Sequence, residues 1–118
     1  MTRLHALIFE DHSTVALSLK AALSVMGFAT FGFASTGPQA LASVRARKPD
    51  LVVTSLALRD GLDADVLSAF SEEIEGAPVI YTCEADADSG DADPVLQKPV
   101  GRAALSRALE SLPGFAPA

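Results

Sequence analysis

Five short apolar runs recur along the chain, separated by stretches in which apolar residues return every three or four positions. Leu4-His5-Ala6-Leu7-Ile8-Phe9 is nearly continuous and stops at Glu10-Asp11, the pattern of a strand buried on both faces. Val15, Leu19, Ala22, Leu23 and Met26 then mark one stripe of a helix that Ser13 or Asp11 can cap and Gly27 ends. Phe28 to Ala34 predicts a second strand, weakened by Gly32. Thr36-Gly37-Pro38 opens a second helix carrying Ala40, Leu41, Val44 and Ala46, with Pro38 suited to its first turn. Pro49-Asp50 leads into a third strand from Leu51 to Leu56, followed by a loop around Asp60-Gly61 and a helix from about Ala64 to Ile74. Pro78 to Thr82 reads as a fourth strand and Val95-Leu96-Gln97 as a short fifth. Ala103 to Leu112 reads as a closing helix with Leu105, Leu109 and Leu112 on one face. Strands alternating with helices predict right-handed βαβ crossovers and an α/β fold, a doubly wound five-stranded parallel sheet covered on both sides.

One interval breaks this rhythm. Cys83 to Asp93 contains no Leu, Ile, Val, Phe or Met, and it carries Glu84, Asp86, Asp88, Asp91 and Asp93 without a base. A helix there lacks the stripe it needs to dock, so the helix between strands four and five is expected to be shortened or missing. The run Asp86 to Asp93 has a superficial likeness to a calcium loop but lacks the closing glutamate and the flanking helices, and reads as a solvated acidic loop.

Composition narrows the function classes. The chain has 118 residues, 49% of them hydrophobic, with a formal net charge of −6. That is a single domain, residues 1–118, with enough apolar residues for its own core. An acidic chain without a basic cluster excludes the electrostatic footprint of a nucleic-acid binder and disfavours anionic lipid surfaces. No apolar run approaches the roughly 18 residues that span a bilayer. The lone Cys83 forms no internal disulfide and reads as a small core residue, and no signal region precedes the first strand, so the expected compartment is the cytoplasm. His5 and His12 have no further His or Cys at ligand spacing, and no zinc site is expected.

In an open parallel sheet the ligand site lies beyond the carboxyl ends of the strands. The residues there are Glu10 and Asp11 after strand one, Ser55 ending strand three, Thr82 ending strand four and Lys98-Pro99 after strand five. With Leu7-Ile8-Phe9-Glu10-Asp11, Pro49-Asp50-Leu51-Val52-Val53, the Asp60-Gly61 loop and Pro78-Val79-Ile80-Tyr81-Thr82, this series resembles the receiver domain of bacterial two-component response regulators over almost the whole chain. The resemblance implies the flavodoxin-like strand order 2-1-3-4-5. It also implies a pocket of Glu10, Asp11, Ser55, Thr82 and Lys98 and a switch position at Val95. Mg²⁺ would be held by Glu10, Asp11 and the carbonyl of Ala57.

The departures carry as much information as the match. Ser55 stands where the family has the aspartate that accepts a phosphoryl group, and an unactivated hydroxyl is a poor nucleophile without a positioned base. With one carboxylate fewer, the pocket is expected to bind Mg²⁺ weakly, and no other cofactor is expected. Lys98 could instead pair with Glu10 or Asp11. Val95 replaces the family's swinging aromatic, and Arg59 stands where a proline usually follows the acceptor loop. Thr82 and Lys98-Pro99 also have structural readings, as a strand end and a tight turn.

The expected function is therefore a degenerate receiver domain: not an enzyme, but a phosphorylation-independent protein-binding module in signalling. Its expected partners are a histidine kinase or other signalling protein and a second copy of the chain. Two alternatives are a conventional receiver whose acceptor is displaced to Asp60 or Asp50, and a flavodoxin-like cofactor binder. Loss of the helix before strand five would uncover strands four and five, so a docking face is expected at Val95, Arg102 and Leu105.

Overall fold

The computed structural model describes residues 4–74, 76–83, 95–97 and 101–112. Its elements run β1 (Leu4–Phe9), α1 (Ser13–Val25), β2 (Phe28–Ala34), α2 (Gly37–Ala46), β3 (Leu51–Ser55), α3 (Leu56–Asp60), α4 (Ala64–Ile74), β4 (Val79–Cys83), β5 (Val95–Gln97) and α5 (Arg102–Glu110). All strands pair in parallel, in the order β2-β1-β3-β4-β5. Both the strand order and the parallel sheet agree with the sequence reading. The segment expected to lack a full helix, Glu84 to Asp93, lies outside the described residues.

The central strands are buried on both sides, as their unbroken apolar runs require. Ala6, Ile8, Val53 and Ile80 face one cluster with Ala16, Leu19 and Leu23 of α1 and Leu105, Ala108 and Leu109 of α5. Leu7, Phe9, Ala34 and Val52 face a second cluster with Ala40 and Val44 of α2 and Phe70 of α4, partly closed by Leu58 and Leu62. The alternation of side chains along each strand thus sends α1 and α5 to one face and α2, α3 and α4 to the other.

Local chemistry sets the element ends. Gly27, at φ 107°, takes the left-handed conformation that stops α1 and turns the chain into β2. Thr36 caps α2, its hydroxyl accepting from the Gln39 N–H at 3.3 Å, with a proline in the first turn. The start of α1 differs from expectation: neither Asp11 nor Ser13 caps it, and His12 occupies the cap position without a side-chain bond to the helix. A second difference is α3, a single helical turn from Leu56 to Asp60 where the sequence suggested a loop. It follows β3 without an intervening residue, and Leu58 and Leu62 anchor it onto the α2–α4 side of the core.

At the opposite end of the sheet, His5 and Asp50 tie β1 to the entry of β3. The His5 N–H donates to the Asp50 carboxylate at 2.8 Å, and the Asp50 N–H donates to the His5 carbonyl at 2.7 Å. The buried imidazole forms a hydrogen bond with the Thr30 hydroxyl at 2.9 Å. Burial first, and then the Arg47 guanidinium, hold its pKa below the ordinary histidine value, against the opposing pull of Asp50 and the Thr30 contact.

Candidate functional site at the carboxyl ends of the strands

Register brings the sequence-nominated residues into one row. Phe9 pairs with Thr54, and Ser55 pairs with Thr82, so Glu10, Ser55 and Thr82 follow one another across β1, β3 and β4 at the carboxyl edge. All three are buried: Glu10 is 6% exposed, Ser55 4% and Thr82 1%. Glu10 is held there because its N–H extends the β1–β2 ladder, donating to the Ala34 carbonyl at 2.9 Å. Ser55 is the junction of β3 and α3, with extended backbone and no side-chain bond to the helix it precedes. The Thr82 hydroxyl has no hydrogen-bond partner among the described residues. Asp11, one residue further along, is exposed.

His12 joins this group, which the sequence reading did not expect. Its Nδ1 lies 3.3 Å from Asp11 Oδ1 and 3.7 Å from Glu10 Oε1. One ligand-type atom from each of Glu10, Asp11 and His12 falls within 4.8 Å of the others. The signal was present as three consecutive side chains capable of holding a cation, Glu10-Asp11-His12. The zinc-ligand spacing of a second, distant His or Cys does not detect such a group, because its ligands are adjacent in sequence. Ala57 fits its assigned place less well: its carbonyl accepts the Gly61 N–H at 3.1 Å, closing the turn of α3. The structure therefore groups two carboxylates and an imidazole at the end of β1, and register puts the first of them, Glu10, on the strand beside Ser55. A site for a hard divalent cation favours a third carboxylate and free carbonyls.

The remaining candidates separate. Lys98 lies outside the described residues, and Val95 is placed by its backbone opposite Tyr81 in the β4–β5 ladder. Arg59, noted for replacing a proline, lays its guanidinium over the Tyr81 ring at 4.8 Å, a cation–π contact that fastens α3 to β4. Leu105 contradicts the expected docking face: it is 0% exposed, inside the core cluster with Ile80 and Leu109. The apolar stripe of α5 is consumed in covering β1, β3 and β4, which leaves Arg102 exposed at the first position of that helix and no apolar surface at Leu105.

Neither displaced acceptor sits in the row. Asp50 precedes β3, at the opposite end of the strand, and its carboxylate accepts the His5 N–H. Asp60 is the last residue of α3, a full helical turn beyond Ser55. The flavodoxin-like alternative meets carboxylates where it needs phosphate donors. An open cavity of about 410 Å³ between α1 and the end of β2 is lined by Glu10, Asp11, Ser13, Leu17, Phe33 and Gln39.

No family model and no curated protein matches the sequence. Solved structures do. A response-regulator receiver domain of the CheY type from Methylobacillus flagellatus superposes with a TM-score of 0.71 at 26% identity, over 93% of this chain and 98% of that one. The chain has the receiver-domain fold. The receiver domain of a sensor histidine kinase from Pseudomonas aeruginosa PAO1, crystallised with magnesium in its active-site cleft, matches this receiver-like domain with a TM-score of 0.70 at 24% identity, over 93% of this chain and 97% of that one. A response regulator from Chloroflexus aurantiacus reaches a TM-score of 0.75 at 22% identity, over 93% and 97% of the two chains. The receiver-like domain is thus built on the fold of response-regulator signalling modules. Among its described residues, no helix is long and apolar enough to cross a membrane.

Proposed function

We propose that this receiver-like domain works as a protein-binding module of a two-component-type signalling system without being phosphorylated, and that it is not an enzyme. One observation carries the reading. Ser55 occupies the buried end of β3, between Glu10 and Thr82 in the row where an acceptor carboxylate would stand. A serine hydroxyl there is a poor nucleophile unless a positioned general base takes its proton. The substitution also removes negative charge that a divalent cation would use, so Mg²⁺ binds weakly and no other cofactor is required. Its partners are signalling proteins, a histidine kinase among them, and it acts in the cytoplasm.

The test is direct. The purified chain is incubated with acetyl phosphate or phosphoramidate and Mg²⁺, and its intact mass is read at neutral pH before hydrolysis can remove an acyl phosphate. No adduct is expected. A stoichiometric phosphoryl adduct, mapped to Ser55 or to Asp60, overturns the reading and restores a conventional receiver.

A further inference from the structure

The helix α1 carries a surface that its own fold does not explain. Residues 13–25 read STVALSLKAALSV, with one charged side chain, Lys20, and no acid. Ala16, Leu19 and Leu23 form its buried face. On the opposite face Thr14, Leu17, Ser18, Ala21, Ser24 and Val25 are all exposed. A surface helix of an ordinary domain carries charged residues there; this face instead sets two large apolar side chains, Leu17 and Val25, among alanine and hydroxyl side chains. Leu17 is 60% exposed, Val25 65% and Phe33 of the neighbouring strand 47%, and these three are the large hydrophobics exposed among the described residues. All belong to the α1–β2 side of the domain. Phe33 and Leu17 share the open cavity beside the start of α1, and β2 is an edge strand with no charged residue. Lys20 does not break this face, because its ammonium is turned toward β2, 6.0 Å from the centre of the Phe31 ring.

We infer that the outer face of α1, with Phe33 at its flank, is a dimer interface, and that its occupant is α1 of a second copy packed antiparallel about a two-fold axis at Ala21. The sequence of the helix is its own complement in that arrangement. Residues whose numbers sum to 42 face each other, so Leu17 meets the partner copy's residue 25, Ser18 meets residue 24, and the two alanines meet at the axis. Small residues at the centre let the helices approach to about 8 Å, and the valine from the second copy is presented to the cleft formed by Leu17 and Phe33. Charge selects the same occupant. A chain of formal charge −6 repels a copy of itself over most of its surface, and α1 is an exposed helix face from which acids are absent. Antiparallel helices also oppose their dipoles favourably. A helix of 13 residues, about 20 Å long, covers less than the roughly 800 Å² per partner of a standard interface, and the exposed Phe33 and β2 edge extend the contact. The interface needs neither a phosphoryl group nor a metal, so it goes beyond the function proposed above and stands or falls separately from it.

The test uses the full chain. Sedimentation velocity across the micromolar range is expected to show a concentration-dependent monomer–dimer equilibrium. Leu17→Glu buries an unpaired charge against the partner copy's residue 25 and, separately, Ala21→Glu brings two like charges together at the axis; each is expected to raise the dimer dissociation constant at least about tenfold. Arg102→Glu on α5 leaves it unchanged. Ala21→Cys is expected to form a covalent dimer on mild oxidation, which Glu110→Cys does not, since Cys83 is buried and silent. Leu17 and Ala21 point to solvent in the monomer, so far-UV circular dichroism of the variants should match the parent. A strict monomer at the highest concentration, a dimer indifferent to both glutamates, failure of the cysteine at position 21 to cross-link, or protection of α1 only on adding a different protein each overturns the proposal.

Discussion

Placing a carboxylate at position 55 is the most searching perturbation of the site, because its cost follows from register. Phe9 pairs with Thr54, so Ser55→Asp puts a second carboxylate on the strand beside Glu10 and one residue past that pair. Adjacent strands run about 4.8 Å apart, and two carboxylates about 5 Å from each other repel by about 3 kcal/mol at an effective dielectric of about 20. Burial adds to this, since Ser55 is 4% exposed and the Glu10 side chain 1%. In chelator at neutral pH the variant is expected to lose about 3 kcal/mol by urea denaturation, a large part of a small domain's stability. The repulsion raises the folded pKa of the new acid above its unfolded value. The deficit is therefore present above about pH 4 and shrinks as pH falls to where both states are protonated. Mg²⁺ at ten times its dissociation constant returns about 1.4 kcal/mol to the variant, and at a hundred times about 2.7 kcal/mol, whereas the parent gains much less at the same concentration. A variant as stable as the parent in chelator, or a parent that gains as much from Mg²⁺ as the variant does, refutes this account of the pocket.

Two further outcomes test the scaffold around the site. Because burial holds the His5 pKa below 6.5, the fold prefers the neutral ring; its stabilisation is complete above about pH 6.5 and is lost as pH falls below that value through the folded pKa. Urea curves from pH 7.5 to 5 should therefore weaken more steeply for the parent than for His5→Gln, and equal slopes would show that His5 does not sense pH. Gly37 begins α2 where an added Cβ would lie 2.8 Å from Leu62 Cδ2 and 2.9 Å from Val66 Cγ1. Gly37→Ala is expected to destabilise by about 1–2 kcal/mol despite alanine's better helix propensity, and Val66→Ala in the same chain should recover part of the loss; a stabilised Gly37→Ala disproves the close approach of α2 to α4.

Local pattern alone determined most of the elements. Phe28–Ala34 and Val95–Gln97 agree with the sequence reading to the residue and the helix read from about Ala64 to Ile74 agrees in its extent, because apolar spacing acts over a few neighbours. The resemblance in turn implied the strand order and the acidic row, since motifs at strand ends are carried to one edge by any right-handed crossover. What spacing could not supply was which side of a helix the rest of the chain would cover. Leu105 and Leu17 are both apolar residues on helices, yet one is sealed in the core and the other is 60% exposed. The difference arises because α5 turns its stripe onto β1, β3 and β4, while α1 has more apolar surface than the sheet can take. The turn of α3 likewise depends on Leu58 and Leu62 finding the α2–α4 side of the core. Each of these depends on where distant segments meet, and a one-dimensional pattern contains that only after the chain has folded.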